Sequence, residues 1–283
     1  MRLAGCTPAP VAKDPEPVPA STATYVGQET CEPCHDDQLK SFAKTIHARV
    51  LVEPRPESER GCEACHGPGS AHSEEGGGKG VGGLRTFVRD DPAHDRSAPC
   101  LHCHAGDRQL HDFLGGEHAL ADVGCTDCHS GHAPTADHLL VKAVPELCYG
   151  CHADVRAAFA MPEHHKVPEG ALSCVDCHQP HGSRNTASLR DSDNRTCFTC
   201  HAEVQGPFVF EHGAVLTEGC TGCHENVHGS TNRHLLAYQQ VAQLCYQCHT
   251  VTPTTHVQPS YRDCTRCHVS IHGSNTDSHF FAP

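Results

Sequence analysis

The cysteines of this 283-residue chain constrain its fold more than any other residue type. Twenty of the 21 cysteines fall into ten copies of Cys-x-x-Cys-His, and only Cys6 stands outside these motifs. The motif cysteines are Cys31, Cys34, Cys62, Cys65, Cys100, Cys103, Cys125, Cys128, Cys148, Cys151, Cys174, Cys177, Cys197, Cys200, Cys220, Cys223, Cys245, Cys248, Cys264 and Cys267. The motif histidines are His35, His66, His104, His129, His152, His178, His201, His224, His249 and His268. Cys-x-x-Cys-His is the attachment signature of c-type haem, so the sequence predicts ten covalently bound haem c groups.

The spacing within each motif suits this chemistry. Two cysteines three residues apart lie on one face of a helical turn, where both sulfurs can bond one macrocycle, and the following histidine then points at the iron. A zinc site or a redox dithiol is the alternative for a single Cys-x-x-Cys. Ten copies, each followed by histidine, make both alternatives remote. Because the motifs use every cysteine except Cys6, a disulfide scaffold is excluded.

The composition leaves little material for an ordinary core. The chain has no Trp, 5% aromatic residues, 25 Gly and 20 Pro. Side-chain burial alone would not offset the conformational entropy lost on folding, whereas ten large apolar macrocycles can replace the missing core. We therefore expect a multihaem cytochrome with mostly irregular structure, short α-helices and almost no sheet, built as an elongated linear haem stack.

The motifs come in pairs. Cys100, Cys148, Cys197 and Cys245 begin successive pairs at intervals of 48, 49 and 48 residues. This period predicts five dihaem modules at about 25–99, 100–147, 148–196, 197–244 and 245–283. The first module is longer because it contains a Gly-rich run at 76–83. That run lacks the Gly-Lys-Ser/Thr ending of a phosphate-binding loop, so we interpret it as a flexible insertion.

Each module also carries two histidines outside its motifs. They lie between paired motifs (His47, His118, His165, His212 and His256) and after the second motif (His72, His132, His181, His228 and His272). Methionine cannot supply most sixth ligands because the chain has only two. The sequence thus predicts bis-histidine irons with no open position, which relay electrons without binding substrate.

The pairing of these distal candidates is only partly readable. His132 and His181 each follow a motif histidine by three residues, a reach of about 10 Å, which is too short to pass round the disc to the same iron. They are therefore expected to serve a neighbouring haem. His164 beside His165 leaves one ambiguity. The remaining histidines are assigned by default to solvent or propionate contacts: His94, His102, His111, His138, His164, His234 and His279.

The net charge of the chain and its N-terminal residues indicate which binding partners and which cellular compartment to expect. A net charge of −13 argues against nucleic acid as a partner. No run of 18 apolar residues occurs, so the chain is not expected to span a bilayer itself.

Residues 3–6, Leu-Ala-Gly-Cys, match a lipobox, and residues 1–6 are interpreted as the remnant of a lipoprotein signal that starts further upstream. A Pro-rich tether at 7–24 would join lipid on Cys6 to a cytochrome domain at 25–283. A chance match around a free cysteine is the alternative.

Three stretches of the chain resemble a known family: 62–72, 174–183 and 197–212. They are similar to the periplasmic decahaem cytochromes of outer-membrane porin–cytochrome conduits, the MtrA/DmsE type. The resemblance implies distal histidines at the same ten positions and a wire inserted in a porin-like outer-membrane β-barrel. It also implies export to the periplasmic side of the outer membrane, a periplasmic electron donor, and an extracellular cytochrome or metal oxide as acceptor. The chain departs from the family in its lipobox and in His228 and His272, which follow their motifs by four residues.

The leading hypothesis is therefore an electron-transfer protein without substrate chemistry of its own. A multihaem reductase of a nitrogen or sulfur oxyanion is the enzyme alternative, and it requires an iron with an open face. No Cys-x-x-Cys-Lys variant occurs, and the histidines suffice to close every site. A polymerised cytochrome filament is the structural alternative, against which a lipid tether would argue. Copurification with a β-barrel would separate these hypotheses.

Overall fold

A computed structural model describes residues 22–250 and 263–283. The chain divides into two compact units. Among the described residues, the first unit comprises 22–36 and 50–86, and the second comprises 37–49, 87–250 and 263–283. The division runs through the first predicted module. The predictions for Cys6, for most of the tether and for His256 lie outside the described residues.

Regular structure consists of short pieces, as the composition predicts. The α-helices are α1 (Gln28–Cys31), α2 (Asp36–Phe42), α3 (Ile46–Val50), α4 (Glu63–His66), α5 (Ser70–Glu74), α6 (Ala93–His104), α7 (Glu117–Leu120), α8 (Cys125–Cys128), α9 (Glu146–Tyr149), α10 (Ala153–Phe159), α11 (Cys174–Cys177), α12 (Asp193–Phe198), α13 (Gly213–Thr217) and α14 (Val241–Cys245). Single 3-10 turns occur at Glu57–Glu59, Val81–Gly83, Phe113–Gly115, Asp137–Leu139, Thr186–Ser188, Ala202–Val204, Cys220–Gly222, Arg233–Leu235 and Cys264–Arg266. The strands are β1 (Phe210–Glu211) and β2 (Gly273–Ser274). The predicted architecture of short α-helices, mostly irregular structure and almost no sheet is confirmed for the described residues.

The motifs themselves form several of these one-turn helices. In α8 the Gly124 N–H donates to the Asp127 carboxylate at 2.8 Å, and in α11 the Ser173 N–H donates to Asp176 at 2.7 Å. Helices this short cannot satisfy their own terminal N–H groups, so a carboxylate at the third position stabilises the turn. The turn in each case carries both cysteines of its motif.

Buried apolar side chains are few. Within residues 22–250 and 263–283, the buried hydrophobic residues are Ala93, Phe113, Phe159, Val167 and Ala242. Such a set cannot offset the ordering of more than 200 residues. In the same ranges, none of the helices combines the length and apolar character needed to cross a bilayer.

Polar contacts take over part of the role of a core in the second unit. Arg96 of α6 is 2% exposed and forms an ion pair with Asp127 of α8 at 2.7 Å. Its guanidinium also donates to the carbonyls of Asp91 and Asp122. The Cys125 N–H donates to buried Ser97 at 3.2 Å. These bonds hold the two motifs of the second module together.

The fourth module uses the same position for the same purpose. Asn194, three residues before Cys197, accepts a hydrogen bond from the Cys220 N–H at 2.8 Å. Ser97 lies three residues before Cys100, so the two side chains are equivalent in the repeat. A polar residue at this position thus links the first motif of a module to the second.

Consecutive modules of the second unit cross each other at backbone distance. Glu163 and Ser230 exchange two backbone hydrogen bonds, of 3.1 and 2.8 Å. The antiparallel pair β1–β2 places Glu211 opposite Gly273. A Cβ on Gly182 would lie 2.5 Å from the Asp112 carbonyl oxygen, so these segments also touch. Each crossing lies beside one distal candidate from each of the two modules.

The first unit is organised around a buried acid. Glu63, inside the second motif, is 5% exposed. Its carboxylate accepts from the N–H groups of Val26, Gly27 and Gly69 at 2.8 to 3.2 Å. Three backbone donors offset the cost of burying the charge. This side chain therefore fixes the start of the described chain beside the second motif.

Candidate haem-binding sites

The structure brings motif histidines and distal candidates together as facing rings. Eight such pairs have ring centroids 5.9 to 6.3 Å apart: His35–His72, His104–His47, His129–His181, His152–His118, His178–His228, His201–His165, His224–His272 and His249–His212. Each pair combines one motif histidine with one distal candidate.

This separation fits an iron held between two imidazoles. With metal–nitrogen bonds of about 2.0 Å and roughly 1.1 Å from each nitrogen to its ring centre, trans imidazoles have centroids about 6.2 Å apart. Aromatic rings in direct contact have centroids roughly 4.5–7 Å apart, and the eight separations occupy only a narrow part of that range. The chain's own side chains therefore fit the haem that the motifs imply.

The pairs of the second unit follow one rule of exchange. A histidine between two motifs faces the first motif of the next module, as His118 faces His152 and His165 faces His201. A histidine after the second motif faces the second motif of the preceding module, as His181 faces His129. His47 faces His104 by the same rule, so residues 37–49 pack within the second unit. Neighbouring modules thus exchange histidines in both directions.

The histidines near the ends of the repeat are not all paired by this rule. In the first unit, His72 faces His35 within the same module. His132 is exposed and its N–H donates to Ser130 at 3.4 Å, and its partner iron stays a prediction. His66 and His268 are placed by bonds to carbonyls, described below, and their sixth ligands also stay predictions.

The distal candidates have environments that favour neutral imidazole. Burial lowers the pKa of His181, and the neighbouring His129 lowers it further. The pKa values of His47, His212, His228 and His272 are lowered by the same two causes in the same order, burial and then the facing histidine. Neutral imidazole has the free lone pair that metal binding requires.

The second-motif histidines are oriented through their other ring nitrogen. Their Nδ1–H groups donate to backbone carbonyls at 2.7 to 2.9 Å: His66 to Arg85, His129 to His138, His178 to Ala187 and His224 to His234. His268 donates in the same way to His279. This bond fixes the tautomer and leaves Nε2 for a metal.

These carbonyl acceptors were not identified from the sequence. His138, His234 and His279, which the sequence assigned to solvent or propionate, contribute backbone oxygens instead of side chains. The available signal was the recurrence of His-Gly-Ser at 181–183, 228–230 and 272–274, followed by a Leu or Phe. In these three modules it marks the loop that returns to the motif.

The structure separates His164 from His165. His165 faces His201, whereas His164 Nδ1 bonds the Met161 carbonyl and its Nε2 bonds Glu169 at 3.0 Å. Both ring nitrogens of His164 are therefore occupied within its own loop. His165 is the better candidate ligand of the two.

The motif cysteines are neighbours in a regular order. First cysteines of paired motifs share thiol hydrogen bonds in four modules: Cys31–Cys62, Cys100–Cys125, Cys148–Cys174 and Cys245–Cys264. The bond from Cys100 is the main reason that the pKa of Cys125 is lowered to about 6. In a haem-bearing chain these sulfurs would be thioethers and would not titrate.

Second cysteines meet across module boundaries. Burial is the main cause that raises the pKa of Cys128, Cys177 and Cys223, and the facing Cys151, Cys200 and Cys248 contribute. First cysteines are thus hydrogen-bonded to each other within four modules, and second cysteines lie near enough across three module boundaries to shift the pKa of their neighbours.

Comparisons with known proteins agree with this arrangement. A family model described as a doubled CXXCH motif matches residues 118–157, 164–206 and 212–254. A second model, cytochrome c554 and c-prime, matches residues 84–130. The chain is 32% identical to the multiheme cytochrome MtrA of Shewanella baltica (strain OS185) over 135 residues. This match covers 46% of this chain. The matched region spans 39% of that relative's length.

Proposed function

We propose that this chain, which is similar to multihaem c-type cytochromes of the MtrA type, conducts electrons along ten haems whose irons are each closed by two histidines. The observation that carries the proposal is the set of eight facing pairs, each at the separation that suits an iron between two imidazoles. Irons closed on both faces have no position for a substrate.

The chain's own residues would hold each group in three ways. The two cysteines of a motif would attach the haem covalently, and the motif histidine and the exchanged histidine would both ligate its iron. When bound, haem supplies one-electron chemistry between ferric and ferrous iron. The protein fixes ligand orientation, solvent access and the order of the sites.

The order of the sites supports conduction instead of isolated redox centres. Cys100 adjoins Cys125, Cys128 adjoins Cys151, and Cys148 adjoins Cys174. The same alternation continues from Cys177 to Cys200 and from Cys223 to Cys248. These consecutive attachment points are therefore near one another in the second unit.

We further propose that conduction occurs across the outer membrane, inside a porin-like β-barrel. The support is the similarity to the MtrA type and the acidic character of the chain, whose net charge is −13. A polar lumen can receive such a surface, whereas hydrocarbon cannot. The electron donor would be periplasmic, and the acceptor an extracellular cytochrome or metal oxide.

The test uses liposomes that contain a reduced dye and are challenged outside with a ferric acceptor. Dye oxidation should require both the cytochrome and its barrel. His165→Ala, which removes one facing imidazole, should slow it sharply. His164→Ala is the matched control, because it removes the adjacent side chain and only its bonds to Met161 and Glu169. Equal rates with cytochrome alone or barrel alone would contradict the conduit.

A further inference from the structure

Three turns of the second unit hold two consecutive non-glycine residues at positive φ. The pairs are His138 and Leu139 (57° and 59°), Ala187 and Ser188 (both 52°), and His234 and Leu235 (56° and 59°). Left-handed backbone is unfavourable for a non-glycine residue and persists only where surrounding contacts determine it. We call these three the carbonyl turns.

Each carbonyl turn closes a loop that begins at a second motif. After the turn at 187–188, the Arg190 N–H returns to the Cys177 carbonyl at 2.8 Å. The Gln179 N–H donates to the Ser188 carbonyl at 2.7 Å. In the other two loops the Val141 N–H donates to the Cys128 carbonyl and the Ala237 N–H donates to the Cys223 carbonyl, each at 2.9 Å. The chain on both sides of the motif histidine is therefore tied to the turn.

The first left-handed residue of each turn presents its carbonyl to the motif histidine. The Ala187 oxygen accepts from His178 Nδ1 at 2.9 Å, and the other two turns do the same for His129 and His224. By contrast, first-motif histidines such as His104 and His152 are exposed. At two first-motif sites the facing ring makes this bond instead: His118, opposite His152, donates to the Pro180 carbonyl at 2.9 Å, and His165, opposite His201, donates to the Val227 carbonyl at 2.7 Å. The two classes of site thus differ in which of their two imidazoles is bonded to a carbonyl.

The same loop reaches a second site. His181 lies between His178 and the turn, and its ring faces His129 of the preceding module at 5.9 Å. His228 lies likewise between His224 and its turn and faces His178 at 6.0 Å. One loop therefore orients the motif histidine of its own site and carries the facing histidine of another.

We propose that the carbonyl turns are positioning devices that lower the reduction potentials of the second-motif irons. The inference rests on the proposed ligation of iron by His129, His178 and His224. A carbonyl that accepts from Nδ1 increases the basicity of the imidazole, and a more basic ligand favours ferric iron. At these three sites the left-handed residue sets the direction of the carbonyl, whereas His66 and His268 donate to the carbonyls of Arg85 and His279, which are not at positive φ.

The test changes the turn without changing any ligand. Ala187 is exposed, so Ala187→Val adds no packing conflict, but a β-branched residue strongly disfavours φ near 52°. We expect one of the reduction steps, about a tenth of the redox amplitude, to move to higher potential. Ala187→Gly permits the same φ without strain and is the matched control, which should titrate as wild type. An unchanged titration of Ala187→Val, with haem content intact, would overturn the proposal.

A second measurement covers the case in which Ala187→Val does not fold. In the wild-type protein, the Nδ1 protons of His129, His178 and His224 should exchange with deuterium more slowly than those of His104 and His152. Equal exchange in the two classes would overturn the proposal. Failure of ligation itself would appear differently, as high-spin iron in the wild-type protein before any turn is altered.

Discussion

Replacing Gly229 by alanine is expected to open the crossing between the third and fourth modules. A Cβ at this position would lie 1.9 Å from the Ala158 carbonyl oxygen and 2.6 Å from its carbon. Non-bonded heavy atoms settle near 3.5 Å, so the two backbone segments must part by roughly 1.5 Å. The obstacle is backbone and cannot rotate away as a side chain would.

The cost follows from the contacts at the crossing. Overpacking of a tight site costs about 1–3 kcal/mol, and a backbone obstacle places this case at the upper end. Parting the segments also threatens the two hydrogen bonds between Glu163 and Ser230, each contributing about 1 kcal/mol. We therefore expect a loss of about 3–5 kcal/mol in the free energy of unfolding.

The same movement shifts His228 away from His178, and His165, two residues after Glu163, away from His201. Up to two irons should then lose their sixth ligand. The assay is the high-spin fraction of the oxidised protein together with its thermal midpoint. Gly213→Ala is the matched control, because Gly213 also follows a facing histidine but a Cβ there meets nothing within 4 Å. Wild-type spin state and midpoint in Gly229→Ala would refute the reasoning about the crossing.

Three further predictions concern other parts of the chain. Five of the eight ring pairs are rotated by 15° to 27° and three by 53° to 67°. Electron paramagnetic resonance should therefore resolve two classes of low-spin iron, and a single class would contradict these angles. Arg96→Met leaves the Asp127 carboxylate without its buried partner and should destabilise the protein by about 3–5 kcal/mol in denaturant titration; a loss below about 1 kcal/mol would contradict it. Cys6→Ser, made with a full export signal, should release haem-bearing protein from the membrane, and unchanged membrane binding would argue against lipidation.

The sequence predicted the character of the fold from composition and repetition. Scarce apolar residues and ten motifs indicated short helices without a side-chain core, and the structure has only five buried apolar side chains in its described residues. The 48-residue period likewise gave the order of the motifs. These features depend on local spacing, which a sequence displays directly.

The pairing of the histidines was only partly accessible to the same reasoning. Chain reach excluded His178 as the ring facing His181 but did not identify His129, which lies about 50 residues away in the chain. That choice depends on module crossings at backbone distance, such as Glu163 with Ser230. The only sign of such a crossing in the sequence is a glycine, and glycine also occurs for many other structural reasons. The carbonyl turns were inaccessible for a related reason, since Ala187 and Ser188 give no sign of left-handed backbone.

The central claim is that the irons are closed on both faces and relay electrons, and the spin state of the oxidised wild-type protein tests it most directly. Magnetic circular dichroism at low temperature counts low-spin and high-spin iron against total haem. The account predicts low-spin iron throughout, at ten haems per chain, with no change when nitrite or hydroxylamine is added. One high-spin iron per chain that shifts on adding nitrite would contradict it and would favour a reductase.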